Sequence, residues 1–590
     1  MAKRLATYKN DLQKTWRILN GIIGKKKLPT LPSYIMREHS KQTNDKSIAN
    51  HFNSFFGNIG LEISRKVKST SNHFSNYLPD RVNKSLFLEP TDENEILSIT
   101  RNLKSSFSSG IDGLSSNLIR QIIPSIAKPF THICNNSFLN GSFPESMKLS
   151  KVIPIFKSGD SNCVNNYRPI SLLPTLSKVL ERLVFNRLYK YLSVNNLINK
   201  QQFGFRPRHS TELALIHAIE QLNSFIEDKC ASLAIYIDLS KAFDALNHEI
   251  LLYKLNVYGV RGHALQWFTS YLNNRKQLVK VNDSTSDYVT INTGVPQGSI
   301  LGPLLFLIYV NDLTRSSQIA SFILYADDTN LFFSDKDVGS LIQKANTELE
   351  KVCHWFRANK LQLNSSKTKF MVFNRGKPFD RNVELKIDQE PIIKVDSVNF
   401  LGVILDDQLS WDKHILHIAT KVSRNIGIMS KVRSVLPEHI LRVLYCTLIL
   451  PFFDYCNVIW GRARQKRMNR LYVLQKRAIR LCAGAHFRAH TDDLFQKLDI
   501  LPLDKLINFK TGIFMHKLKN DLLPDTFSDY FVKFSQPHVQ NTRNANLYRL
   551  PLFKSTFSQR QSIQFNGAKL WNNFPVTIQH SSSLPQFKNS

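Results

Sequence analysis

The sequence predicts an α+β fold, on three observations. From about residue 147 to about 405, short apolar strands alternate with helical stretches and tight turns. Beyond about residue 410 the helical period dominates. The chain is 42% hydrophobic and 11% aromatic, which excludes a disordered basic tail and supplies apolar mass for real cores. At 590 residues it exceeds a single core, so about two to four domains are expected. The expected divisions are 1–90, 91–405, 406–465 and 466–590.

Taken in order, residues 1–90 read as a polar, mostly helical lead-in, with Phe52, Phe55 and Phe56 inside a helical segment from Ala49 to Ile59. Thr91 is the expected N-cap of a helix running to about Leu103. Ser105 to Gly113 reads as a loop. Leu233-Ala234-Ile235-Tyr236-Ile237 is a buried-type strand that runs straight into Asp238. Ser299 to about Asp312 predicts a buried packing helix. Ser321 to Phe333 holds two β-prone runs around a polar pair, a hairpin with Asp327 and Asp328 at its tip. The apolar and aromatic stretch from Leu444 to Gly461 would anchor the segment that follows it.

Charge is the next constraint. There are 78 Lys+Arg against 46 Asp+Glu, a net charge of +32. Spread evenly, these charges would sit roughly 25 Å apart, beyond the Debye length of about 8 Å. A useful field therefore needs clustering, and the partner to expect is a polyanion. Residues 461–490 hold nine cations and no acid: Arg462, Arg464, Lys466, Arg467, Arg470, Lys476, Arg477, Arg480 and Arg488. Leu471, Leu474, Ala478 and Leu481 form one apolar helical stripe inside that run, leaving the other faces basic. A helix facing a nucleic-acid duplex is the reading, with Arg462, Lys466, Arg470, Arg477 and Arg480 as its contacts.

Seven cysteines without regular spacing do not form a disulfide framework, so a reducing, intracellular setting is expected. The N-terminus turns charged at once, so no signal peptide is expected, and apolar runs such as Leu304 to Val310 are too short for a membrane span. Lys25-Lys26-Lys27 and Arg462 to Arg467 are candidate nuclear signals; nucleus and cytoplasm both stay open. Cys482, His486 and His490 would share a helix face, but no fourth ligand has suitable spacing, so no zinc site is expected.

The acids carry the chemistry. Two strands that each bring a carboxylate to one sheet edge make a hard-oxygen site suited to Mg²⁺. Two such ions can activate a 3′-hydroxyl and stabilise departing pyrophosphate. Tyr325-Ala326-Asp327-Asp328 resembles the motif of reverse transcriptases, and Asp238 their other catalytic Asp. The wider context is similar to the non-LTR (LINE-type, jockey-like) retrotransposon enzymes. The matching blocks are Lys151 to Asp160, Asn166 to Leu172, Gln202 to Arg206, Asp238 to His248, Gly294 to Ser299, Leu363 to Lys369 and Phe400 to Val403.

This resemblance implies a right-hand polymerase of fingers, palm and thumb, with a helical N-terminal extension and a mainly helical C-terminal region. It implies an RNA template, a DNA primer or target, dNTPs, and two Mg²⁺ ions (or Mn²⁺) on Asp238, Asp327 and Asp328. Lys157 and Arg168 would bind triphosphate, and Lys367 would protonate pyrophosphate. Phe243 would exclude a 2′-hydroxyl, while Gln297 and Gly298 would support the nascent base pair near the template nucleotide. Gly402 would let a hairpin backbone grip the primer end. Asp244 introduces an ambiguity, because RNA-dependent RNA polymerases place a second acid near here; Phe243 and Ala326 favour DNA synthesis. An N-terminal endonuclease, usual in the family, does not fit in residues 1–90, so it is expected to be supplied elsewhere or lost. The rival readings are a different polymerase, such as an RNA polymerase or maturase-like enzyme, and a catalytically inert nucleic-acid-binding remnant.

Overall fold

The computed structural model describes residues 20–21, 32, 34–37, 40–373, 383–434, 436–533 and 547–589. The Lys25-Lys26-Lys27 run lies outside the described residues.

Helix α1 (Asp45–Lys66) starts where the Asn44 side chain accepts from the Lys46 and Ser47 N–H groups. Its aromatic residues do not stand apart. Phe52 and Phe56 enter a small core with Val152, Tyr167, Val279 and Val281. Buried Asn53 donates to the carbonyls of Gln277 and Asp287, which fastens the helix to strand backbone. Helix α2 (Glu93–Asn102) begins one residue later than the sequence suggested. Asp92 is the cap, accepting from Glu95 N, while the Thr91 hydroxyl donates to the Glu95 carboxylate.

Strands β1 (Leu149–Phe156) and β2 (Tyr167–Leu172) form an antiparallel hairpin. Helix α3 (Thr211–Glu227) then leads into β3 (Ala231–Ile237), the first strand of a second sheet. Helix α4 (His248–Val257) follows. Strands β4 (Arg275–Val281), β5 (Ser284–Thr285) and β6 (Val289–Ile291) return to the first sheet, where β4 pairs with β1 in parallel. The buried helix expected near 299–312 is α5 (Gly302–Val310). Strands β7 (Ser321–Tyr325) and β8 (Asp328–Asp335), helix α6 (Val338–Ala358), β9 (Lys369–Phe373) and β10 (Ile393–Lys394) complete the second sheet, in the order β10-β9-β3-β8-β7.

That second sheet is covered on both faces, as the period of two requires. Leu233, Ile235, Ile237, Leu331, Phe333, Phe370 and Val372 face one core. Ala234, Tyr236, Phe332, Met371 and Phe373 face the other. Burying each large side chain there contributes about 1.5–3 kcal/mol. On the first face an ion pair lies fully inside the protein. Lys254 Nζ reaches Asp312 Oδ1 at 2.5 Å, and Trp355 Nε1 donates to Asp312 Oδ2. Both carboxylate oxygens are thereby satisfied, which is what a buried charge requires.

After the hairpin β11 (Ser397–Phe400) and β12 (Val403–Asp406), the chain is helical: α7 (Asp412–Val432), α8 (Gln465–Cys482) and α9 (Leu503–Lys519) are the long pieces. One hydrophobic core runs from Phe203 and Ala234 through these helices to Phe587. The division expected at 465/466 therefore falls inside a shared core. Residues beyond 490 also dock on the sheet's own helix: buried Glu220 of α3 accepts from Ile563 N and the Ser562 hydroxyl. Among the described residues no helix is long and apolar enough to cross a membrane.

Candidate active site

Backbone register brings the acids together. Asp238 follows β3 directly, and Asp328 opens β8 opposite Tyr325 of β7. Because Thr329 pairs with Ile237, the next step of the antiparallel ladder sets Asp328 beside Asp238. Ala326 and Asp327 form the two-residue turn, with Ala326 in the left-handed region at φ 57°. A β-hairpin turn calls for that conformation.

A buried side chain holds the turn. Gln202 Oε1 accepts from Ala326 N at 3.0 Å and from Gly204 N at 2.8 Å. The Gln201–Phe203 segment runs along β7, exchanging backbone hydrogen bonds with Leu324. A Cβ on Gly204 would stand 2.2 Å from Ala326 N, so only glycine allows this approach. A second brace fixes Asp238. Its carbonyl accepts from Asn364 N at 2.9 Å, and Ser240 N donates to Gln362 O. The Leu363–Lys369 block is thereby tied to the strand end that carries the first acid.

The electrostatics show how closely these groups are grouped. Burial among surrounding protein raises the Asp328 carboxyl to about 6, and repulsion from Asp327 and Asp238 adds to the rise. Asp327 is raised chiefly by burial, and by Asp238, while Arg168 and Lys157 pull it down. Those two cations stand at the first sheet: Arg168 lies opposite Ile155 in the hairpin, and Lys157 N bonds Asn166 O. Lys241 was not singled out in the sequence. Burial depresses its ammonium; Asp244 pulls it up, and the charges of Lys157, Arg168 and Lys367 depress it further. Its Nζ leans on the Tyr167 carbonyl at 3.3 Å. Arg168 and Lys157 thus stand near enough to Asp327 to lower its pKa, and Lys241 feels both of them and Lys367. Among the described residues no group of three or more His, Cys, Asp or Glu forms a ready-made metal cage. An all-carboxylate oxygen set nonetheless fits Mg²⁺, which completes its shell with water and phosphate oxygens.

Phe243 is half-buried, stacked on Phe306 at 4.6 Å and edge-on to Phe205. Asp244 is engaged by the Gln297 amide, which donates to both of its oxygens at 2.9 and 3.1 Å. Gly298 (φ 129°) lets the turn close on Ser171, whose N–H bonds the Gln297 carbonyl. Gly402 sits in the left-handed region at φ 84°, where an added Cβ would meet the Tyr455 ring at 3.1 Å. The Tyr455 hydroxyl donates to the Leu401 carbonyl, pinning the hairpin tip.

The basic helix exists, with Met468, Leu471, Ala478, Ile479 and Leu481 buried; Leu474 is only half-buried. Two of its expected contacts are corrected. Arg462 turns inward to Asn508 Oδ1 at 2.7 Å, and burial lowers its pKa. Arg480 donates to the Ala489 carbonyl and holds the chain that leaves the helix. Lys466, Arg470 and Arg477 are exposed, as expected. Cys482 is buried and donates to the Leu441 carbonyl, so the Cys482, His486 and His490 spacing has a packing explanation.

Residues 155–405 match the family described as reverse transcriptase (RNA-dependent DNA polymerase). The chain carries a reverse transcriptase domain. Its similarity to curated proteins runs past that domain on both sides. It is 26% identical over 489 residues to the probable RNA-directed DNA polymerase from transposon BS of Drosophila melanogaster, covering 80% of this chain and 53% of that protein. It is 29% identical over 450 residues to the RNA-directed DNA polymerase from mobile element jockey of Drosophila melanogaster, covering 73% and 48%. The jockey polymerase of Drosophila funebris is 27% identical over 419 residues, covering 69% and 45%. The chain spans about half the length of these relatives. The retrotransposon reverse transcriptase resemblance drawn from the motifs is borne out. The matched residues include Asp238, Asp327, Asp328, Lys157, Arg168, Lys241 and Lys367.

Proposed function

We propose that this protein is an RNA-directed DNA polymerase that adds dNTPs to a DNA 3′-end on an RNA template. The observation that carries the reading is the ladder step that sets Asp328 beside Asp238, with Asp327 in the adjoining turn and cations opposite. In this reading the β10-β9-β3-β8-β7 sheet is the palm, the β1–β2 hairpin with β4–β6 forms the fingers, and α7 opens the thumb.

Asp238, Asp327 and Asp328 would hold two Mg²⁺ ions. Bound there, the ions would make the primer hydroxyl a better nucleophile and neutralise charge on pyrophosphate. The chain's own cations do the rest. Arg168 offers its planar fork to phosphate oxygens, and Lys157 a point charge. Lys241, within reach of both of their charges, is a further triphosphate contact. Lys367, exposed on the loop braced to Asp238, gives a proton to the leaving pyrophosphate. Phe243, backed by Phe306, meets a ribose 2′-hydroxyl and so selects deoxyribose. Exposed Lys466, Arg470 and Arg477 contact duplex phosphates without reading sequence.

Primer extension on a defined RNA template tests this. Extension with dNTPs and Mg²⁺ is expected from the wild type and not from Asp327→Asn. Salt-dependent binding without any extension would favour the inert remnant instead. A preference for NTPs would favour the RNA polymerase reading.

A further inference from the structure

The 294–298 turn touches Ser171 at its far end, and at its near end it is gripped by residues 243–248. Gly294 N donates to the Leu246 carbonyl at 2.8 Å, and Val295 N to the Phe243 carbonyl at 3.1 Å. The His248 ring pairs with the Gly294 carbonyl at 2.8 Å through Nε2. Gly294 (φ 76°) lies so close to Asp244 that a Cβ would meet the Asp244 carbonyl at 2.7 Å. From the other side, a Cβ on Gly60 of α1 would come within 2.1 Å of the same carbonyl. The Asp244 backbone is thus clamped between helix and turn, and its side chain takes its hydrogen bonds from the Gln297 amide, with the Lys241 charge also in reach.

That contact has a polarity. An ionised carboxylate only accepts, so the Gln297 amide must turn its NH₂ toward Asp244 and cannot flip. What Gln297 has left for a ligand is its Oε1 acceptor and the second N–H of its amide. Asp244 is also the residue directly after Phe243. The group that meets the sugar and the group that meets the nascent base pair are therefore fastened to each other through two adjacent residues.

We propose that Asp244 is a positioning residue: it locks the Gln297 amide with its acceptor outward and couples that amide to Phe243, so that nucleotide binding depends on the Asp244–Gln297 pair. Asp244 touches no substrate in this reading, and its second-acid resemblance to RNA polymerases is spent on an internal contact. The inference rests on the polymerase function proposed above.

The test is single-nucleotide addition by the full chain, comparing wild type, Asp244→Asn, Gln297→Ala and the double variant. Thermal unfolding of each runs in parallel. Asn keeps the shape but can present either end of its amide, so the polarity lock is lost. Each single variant is expected to raise KM for the complementary dNTP roughly tenfold with kcat changed less than about threefold. The double variant should be no worse than the poorer single one, because both act through one contact. Effects that multiply to about a hundredfold in the double variant would overturn the inference. So would an Asp244→Asn protein with lowered Tm and unchanged KM, which is the signature of mere packing. If the wild type itself adds no nucleotide, the polymerase reading fails and this inference with it.

Discussion

The sheet edge around Asp238, Asp327 and Asp328 and the helix α8 with its cations were both conspicuous in the sequence, and folding treated them differently. At the sheet edge every expected acid arrives at one place, because an antiparallel ladder leaves no freedom in which residues lie side by side. The α8 helix and most of its apolar stripe are as expected, yet Arg462, just before the helix, and Arg480 within it are turned to internal partners. A backbone register assigns positions by itself. A long cationic side chain is assigned by whatever acceptor its flexible stem can reach.

The strongest way to break this contrast is at the acids. Asp327→Asn keeps volume and hydrogen bonding but removes charge, so primer extension should fall by about a thousandfold or more with Tm nearly unchanged. Residual extension near the wild-type rate would remove Asp327 from the centre of the site.

Next in size is the backbone approach behind the turn. Gly204→Ala puts a methyl group 2.2 Å from Ala326 N, which the buried hairpin must move to admit. A loss of roughly 1–3 kcal/mol in denaturant unfolding, with weakened extension, is expected. An unaffected variant would mean that the turn is held by register alone.

On α8 the prediction separates outward from inward cations. Wild-type duplex affinity should fall about 10³–10⁵-fold between 50 and 200 mM salt if 6–10 phosphates are contacted. Replacing Lys466, Arg470 and Arg477 by Gln should lower the slope of log affinity against log salt by about 3. Arg480→Gln should leave that slope alone and cost about 1 kcal/mol of stability, the worth of one hydrogen bond. Equal slopes in the two variants would erase the distinction drawn between them.

The smallest effect concerns pH. The folded Asp328 carboxyl is raised to about 6, above its unfolded value near 4. Between those values the folded state binds more protons, so this group's contribution to stability declines as pH rises from about 4 to 6 and stays reduced above. Asp328→Asn should therefore raise Tm at pH 8 relative to wild type, and not at pH 4, by roughly 2 °C after solvent screening. The reverse order would mean that Asp328 is paired with a cation instead of crowded by acids.

How legible the rest was depended on the range of the interaction. The hairpin, the strand into Asp238 and the buried helix are short-range patterns, and they are present as read. The α2 cap was off by one residue because Thr91 and Asp92 are both good caps, and only the extended backbone at Asp92 aims its carboxylate at Glu95 N. Lys241 and Gln202 were passed over as sites. Lys241 looks like any cation until Tyr167 and the Asp244 side come near it. Gln202 sat inside a recognised block, but nothing local indicates that its acceptor will cap a turn 124 residues away. The excess of buried polar contact at Gly60 was equally silent, since a glycine in a helix states only that something comes close.

By itself the sequence determined which strands carry carboxylates, where the turns fall, which helix is basic, and which family the motif series resembles. These are consequences of local propensity, of periods of 2 and 3.6, and of spacing along one chain. The tertiary structure alone decided which groups share a site. It set Asp328 beside Asp238, brought Lys157 and Arg168 near Asp327 and Lys241 and Lys367 near those cations, closed Asp244 onto Gln297, and gave Arg462 and Arg480 acceptors within the protein. The reason is one of distance. Coulomb and hydrogen-bond energies act over a few ångströms in space, and residues a hundred positions apart come within that range only when two sheets and their helices pack.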